Sequence, residues 1–148
     1  MGKRLRFELV PDGCWYVNLR SHLSKSDWER IKRYAKRKAD GRCMICGKIT
    51  NQLDAHEQWS YDEKRGIQRL EDIIAVCKDC HSVIHIGRTQ LYGDIERAEN
   101  HYMKVNGVSY SEFRRDLGEA NEKHKRLNKV SKWVTDVSLA QKILDGEI

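Results

Sequence analysis

Two groups of residues in this chain have the types and spacing for metal chemistry. Cys43 and Cys46 form one C-x-x-C pair, CMIC, and Cys77 and Cys80 form a second, CKDC, with 30 residues between them. Each pair places two thiolates on a tight turn whose backbone N–H groups can point at sulfur, which is half of a tetrahedral zinc site. Gly41 and Gly47 flank the first pair and give that turn backbone freedom. A redox C-x-x-C needs no second copy, and disulfides are uncommon in a reducing compartment. The expected reading is therefore a structural four-cysteine Zn²⁺ site, with Cys14 left as a free, partly buried thiol.

The second group is made of imidazoles. His81 directly follows Cys80, and His85 comes four residues later, so a helix over this stretch carries both on one face. That spacing suits two ligands on one metal. His56, in LDAHEQW, is a third candidate on a strand between the cysteine pairs. Taken singly, each of these is as well read as a satisfied core or surface histidine. Three of them around a zinc knuckle favour a second metal site. His22, His101 and His124 lie outside the pattern and are expected at the surface.

These residues need elements to hold them. Ser26 as N-cap with Glu29 three residues on starts a helix that runs to Ala39, with Asp40 and Gly41 stopping it. Trp28, Ile31 and Tyr34 or Ala35 share its apolar face. Its other face carries Arg30, Lys32, Arg33, Lys36 and Arg37, with Lys38 and Arg42 nearby. That is either a solvated helix face or a phosphate-contacting surface, and the cation density favours the second, with Arg30, Arg33, Lys36 and Arg37 as contacts. Residues 50–59 and 73–76 read as strands, the second short and buried, separated by the polar stretch SYDEKRGIQRLED that turns at Gly66. A short helix over 78–86 follows, ended by Gly87. Two further helices are expected over 94–105, before Asn106-Gly107, and over 110–129, with Ser109 and Glu112 as a capping box. The tail over 133–138 alternates and is expected to pack Trp133 back as an extended piece.

Length and composition bound the rest. The 148 residues fit one domain, with a basic helical region over 1–42, a metal-binding core over 43–87 and a helical extension over 88–148. The fold class expected is α+β, mostly helical. A formal charge of +6 suits an anionic partner, nucleic acid first. The longest apolar run spans only residues 73–77, far below the roughly 18 residues of a membrane span. The start of the chain, GKRLRFELVPDG, lacks the hydrophobic stretch of a signal peptide, and a cytoplasmic location is expected.

The order C-x-x-C, strand bearing His, short strand, CxxCHxxxH over residues 43–87 resembles the His-Asn-His (HNH) endonucleases, built on a ββα-metal finger. More loosely, FELVPDGCWYVNLRS, LDAHEQWSYDE, VCKDCHSVIHIG and the tail resemble small bacterial and phage HNH proteins. The resemblance implies hydrolysis of DNA phosphodiester bonds with Mg²⁺, Mn²⁺ or another divalent metal; RNA remains a second possible substrate. It implies His81 and His85 as helix ligands, His56 at the ligand position of the strand and Glu57 at the general-base position. In a rival register His56 is the base, with Asp72 supplying a ligand. Asp72 also stands where the family's Asn usually does. Two other functions compete: a degenerate finger that binds nucleic acid without cutting, and a zinc-stabilised interaction module of a phage or defence assembly.

Overall fold

Between the two cysteine pairs the chain folds into a long antiparallel hairpin, β1 (Leu53–Asp62) and β2 (Ile67–Cys77). Register runs from Leu53 opposite Cys77 to Asp62 opposite Ile67, with one irregularity between Gln58 and Trp59. Most of residues 60–72, expected as a polar loop, are therefore strand. The reason is period-2 alternation under a polar composition: Gln68 and Leu70 are buried, whereas Arg69 and Glu71 point out. The computed structural model describes residues 3–15 and 18–147.

The turn of the hairpin ends at Gly66, whose φ of +67° lies in the left-handed region. A Cβ added there would stand 2.8 Å from the Lys132 carbonyl oxygen. The Gly66 carbonyl in turn accepts the Val134 N–H at 2.7 Å, which docks β3 (Val134–Asp136) parallel to β2 and completes a sheet of order β1-β2-β3. Trp133 packs edge-on against Tyr61 with ring centroids 5.5 Å apart, so the tail folds back as its alternation predicted. Gly66→Ala is expected to lower stability by roughly 1–3 kcal/mol, combining backbone strain with a clash against fixed backbone. Urea unfolding at unchanged m-value checks this.

Among the described residues seven α-helices surround the sheet: α1 (Leu19–His22), α2 (Lys25–Ala39), α3 (Lys78–Ile84), α4 (Ile86–Tyr92), α5 (Ile95–Asn106), α6 (Tyr110–Leu127) and α7 (Ser138–Leu144). The class is α+β with more helix than strand, and no helix among the described residues is long and apolar enough to cross a membrane. Ser24, rather than Ser26, caps α2. Its hydroxyl accepts the Asp27 N–H at 3.1 Å, and its carbonyl already takes Trp28 N–H, so the helix starts earlier than the Ser26–Glu29 pair suggests. Trp28, Ile31, Ala35 and Ala39 are buried along one side. The helix expected over 78–86 bends at His85 (φ −95°, ψ 52°) and resumes as α4. Gly87 lies inside α4, and Gly93 caps its end. Ser109 caps α6 and Gly107 closes α5 at φ +64°, as read from the sequence, whereas Asp94, expected as the first residue of α5, is its N-cap. The final helix α7 was not foreseen.

The core runs from α2 through β2, where Ile73, Ile74, Ala75 and Val76 are all buried, to α3 and α5. The N-terminal stretch over residues 3–10 crosses this helical layer as a strap. Leu5 exchanges two hydrogen bonds with the Asn106 side chain, at 3.1 and 2.9 Å. Glu8 N–H donates to Ile84 O at 2.8 Å, and His124 Nε2 meets Val10 O at 3.2 Å. Phe7 stacks on Tyr102 at 4.6 Å and meets Phe113 edge-on at 5.6 Å. These contacts fix which strap residue faces the hairpin.

Candidate metal centres

The first C-x-x-C lies on a knuckle closed by Cys43 N–H to Lys48 O and Gly47 N–H to Cys43 O, both 2.9 Å, with Gly47 at φ +81°. Backbone N–H groups of Ile45 and Cys46 point at Cys43 Sγ at 3.4 and 3.5 Å. The second pair begins where β2 ends: Cys77 is the N-cap of α3, its sulfur accepting the Cys80 N–H at 3.4 Å. Met44 N–H donates to Ala75 O at 3.0 Å and holds the knuckle against β2. All four sulfurs lie within 4.8 Å of one another, and Cys46 and Cys77 are 3.7 Å apart. Tetrahedral zinc with bonds of about 2.3 Å sets sulfurs about 3.8 Å apart, so the donor set is compatible with Zn²⁺.

Four thiols this close cannot all ionise unaided. Cys43 is drawn down to about 4, first by the Cys80 thiol and then by backbone N–H groups, against burial. The same contact, with burial and the Cys43 charge, pushes Cys80 strongly up, and burial takes Cys77 to about 11. A divalent cation removes this conflict. His101, expected at the surface, is half-buried with Nε2 3.2 Å from Cys80 Sγ, a contact made from α5. His22 is exposed, and His124 is half-buried against the strap. Cys14 is buried, and burial raises its thiol.

His56, His81 and His85 form the second cluster, each offering a nitrogen within 4.8 Å of the others. Ring centroids are 5.6 Å apart for His56–His81, 5.3 Å for His56–His85 and 4.8 Å for His81–His85. Although α3 bends at His85, the His85 N–H still donates to His81 O at 3.1 Å, which keeps the i, i+4 pair on one side. Burial, with the two neighbouring imidazoles, pushes His85 down to about 3. Burial also lowers His81, against the Asp54 carboxylate. Neutral imidazoles with free lone pairs are the form that binds a cation.

Two carboxylates back this cluster, and neither was a candidate from sequence. Asp54 Oδ2 lies 2.9 Å from His81 Nδ1, and its other oxygen meets Lys78 Nζ. Burial would raise the Asp54 carboxyl, but these two partners outweigh it and hold it low. Glu8 Oε2, brought by the strap, accepts from His56 Nε2. His56 is thereby left with Nδ1, and His81 with Nε2, for any further partner. Asp54 had a findable signal, because residues two apart on a strand share a face. Glu8 had none, being 48 residues from His56.

Glu57 and Asp72 lie apart from the cluster. His56 and Glu57 are successive residues in regular pairing, opposite Ile74 and Ile73, so they point to opposite faces of β1. Glu57 Oε1 accepts the Leu19 N–H at 2.8 Å; burial raises its carboxyl, with that bond opposing. Asp72 pairs with Lys38 Nζ at 2.9 Å and takes the Ile73 N–H at 2.8 Å. On α2, Arg30 is tied to Leu144 O at 2.8 Å and to Asp27, whereas Arg33, Lys36 and Arg37 are exposed and make no ion pair among the described residues.

The imidazole cluster opens into a cleft of about 1380 Å³ lined mainly by the strap, β1, α4 and α6. No family model matches the chain, and no curated protein or solved structure gives a significant match.

Proposed function

We propose that this chain is an HNH-type, metal-dependent endonuclease that hydrolyses DNA phosphodiester bonds. The cysteines hold a structural zinc, and His56, His81 and His85 hold a catalytic Mg²⁺, Mn²⁺ or other divalent ion. The observation that carries the reading is the pair of carboxylate–histidine contacts, Glu8 to His56 and Asp54 to His81. Ligand histidines characteristically donate their second ring N–H to a carboxylate, which fixes tautomer and orientation. A core histidine needs one partner; three clustered imidazoles, two of them backed by carboxylates, are better suited to a cation.

When bound, a divalent ion supplies charge for the scissile phosphate and acidifies its water. The chain's own residues do the remaining work. Glu8 and Asp54 hold the outer nitrogens of His56 and His81, keeping one lone pair on each available. Arg6 and Arg88, exposed along the same cleft, supply positive charge for flanking phosphates. Supercoiled plasmid incubated with Mg²⁺ or Mn²⁺ tests the reading. Relaxed or linear product is expected, and chelator is expected to abolish it.

A second reading, a finger that binds nucleic acid without cutting, draws support from Glu57 and Asp72, which are engaged with Leu19 and Lys38 rather than with the imidazoles. It predicts salt-dependent DNA binding and intact plasmid with every metal. Both readings use the free cations of α2. Replacing Arg33 and Lys36 together with glutamine is expected to weaken DNA binding about equally for all sequences. The slope of log affinity against log salt is expected to fall by roughly 2. Fluorescence anisotropy at several salt concentrations measures it, and an unchanged slope returns α2 to an ordinary solvated face.

A further inference from the structure

The cleft that receives the imidazole cluster carries an unusual concentration of exposed apolar side chains. Trp15 is 59% exposed, Leu91 74% and Tyr92 85%, and all three line it. The Trp15 indole N–H donates to Val10 O at 3.0 Å, so the ring is held by its edge while much of it stays open. Arg88 and Tyr92, which both line the cleft, are four residues apart on α4 and share a helix side, beginning one turn beyond His85. Arg6 and Arg88 are exposed and form no ion pair among the described residues. Of the carboxylates that line the cleft, Glu8, Glu57 and Asp116 are hydrogen-bonded within the protein, and Glu119 is exposed.

Aromatic faces interleaved with free cations are how proteins hold unpaired nucleotides: cations track phosphates and rings stack on bases. A duplex offers these rings no base face, because its bases are already stacked on each other and only their edges reach the grooves. A protein partner would need an acidic patch opposite Arg6 and Arg88 besides its apolar contacts, whereas each nucleotide brings both a phosphate and a stacking face.

We propose that the cleft binds single-stranded nucleic acid, with Trp15 and Tyr92 as stacking platforms and Arg6 and Arg88 as phosphate contacts. This rests on the nuclease reading only for the consequence that unpaired strands or flaps are the preferred substrate; the binding itself stands independently.

The test is anisotropy titration of full-length, zinc-loaded protein, without added Mg²⁺ or Mn²⁺, using labelled dT12, rU12 and a 12-base-pair hairpin. Binding of dT12 or rU12 at least tenfold tighter than the hairpin is expected. Trp15→Ala and Tyr92→Ala are each expected to cost roughly tenfold or more on the single strands and little on the hairpin. Circular dichroism checks that both variants fold. Equal affinity for strand and hairpin overturns the proposal, as does equal loss on both. A dimer in sedimentation that Tyr92→Ala dissolves also overturns it, since the patch is then a protein interface. Cleavage of plasmid without strand preference in binding removes this inference and leaves the nuclease reading. Strand-selective binding without cleavage in any metal does the reverse.

Discussion

Cys77→Ser is expected to leave the protein unable to hold zinc at the four-cysteine site and without a cooperative fold. The substitution isolates the metal, because serine is itself a good N-cap and can still accept the Cys80 N–H at the start of α3. What is lost is one sulfur of a four-sulfur set that joins the knuckle over residues 43–49 to the end of β2. Structural zinc contributes about 10–16 kcal/mol of apparent binding energy, comparable with or above the roughly 5–15 kcal/mol that stabilises a typical domain. Metal analysis should fall from about one zinc per chain to near none, with the urea transition lost. A zinc-free Cys77→Ser protein that unfolds cooperatively with native helix content would refute the structural role of the site.

The second large effect separates the two registers of LDAHEQW. His56→Ala is expected to abolish binding of a second metal and lower plasmid cleavage by about 100-fold or more, because it removes one of the three ligands proposed above and leaves Glu8 facing a void. Glu8→Gln is expected to weaken that metal by roughly 10- to 100-fold without removing it. Glu57→Gln is expected to leave cleavage within about threefold of the parent, since the amide oxygen can still accept the Leu19 N–H on the far side of β1. Calorimetric titration of Mn²⁺ into zinc-loaded protein, beside nicking rates, reads all three. If His56→Ala binds Mn²⁺ normally but fails to cleave, His56 is the base and the rival register holds. If Glu57→Gln is the variant that loses cleavage, Glu57 acts despite its position in this structure.

Local chemistry was the legible part of this protein. The two C-x-x-C pairs declare a metal turn within four residues each, and the His81–His85 spacing declares a shared helix side within five. The caps Asp94 and Ser109 and the C-terminal Gly107 work through hydrogen bonds to their own neighbours, so the boundaries of α5 and α6 could be read to within a residue or two. The hairpin was legible only in part. Charged residues at 63–65, 69, 71 and 72 raised the polarity of a stretch whose inward positions, Gln68 and Leu70, still followed strand alternation.

Harder to see were contacts between residues far apart in the chain. Nothing near Glu8 marks it as the partner of His56; the strap is set by Leu5 with Asn106 and by Glu8 with Ile84, about 100 and 76 residues away. His101 shows no ligand spacing, yet packing of α5 against α3 brings it to Cys80. The bend at His85 turned one expected helix into two, and Arg88 and Tyr92 on the second of them line the cleft. Residue type and spacing thus determined which side chains were equipped for metal chemistry, because thiolate turns and i, i+4 imidazoles are short-range patterns. Packing of the strap, hairpin and α5 decided which carboxylates and rings surround them, because those neighbours are selected by burial and backbone hydrogen bonds that span most of the chain.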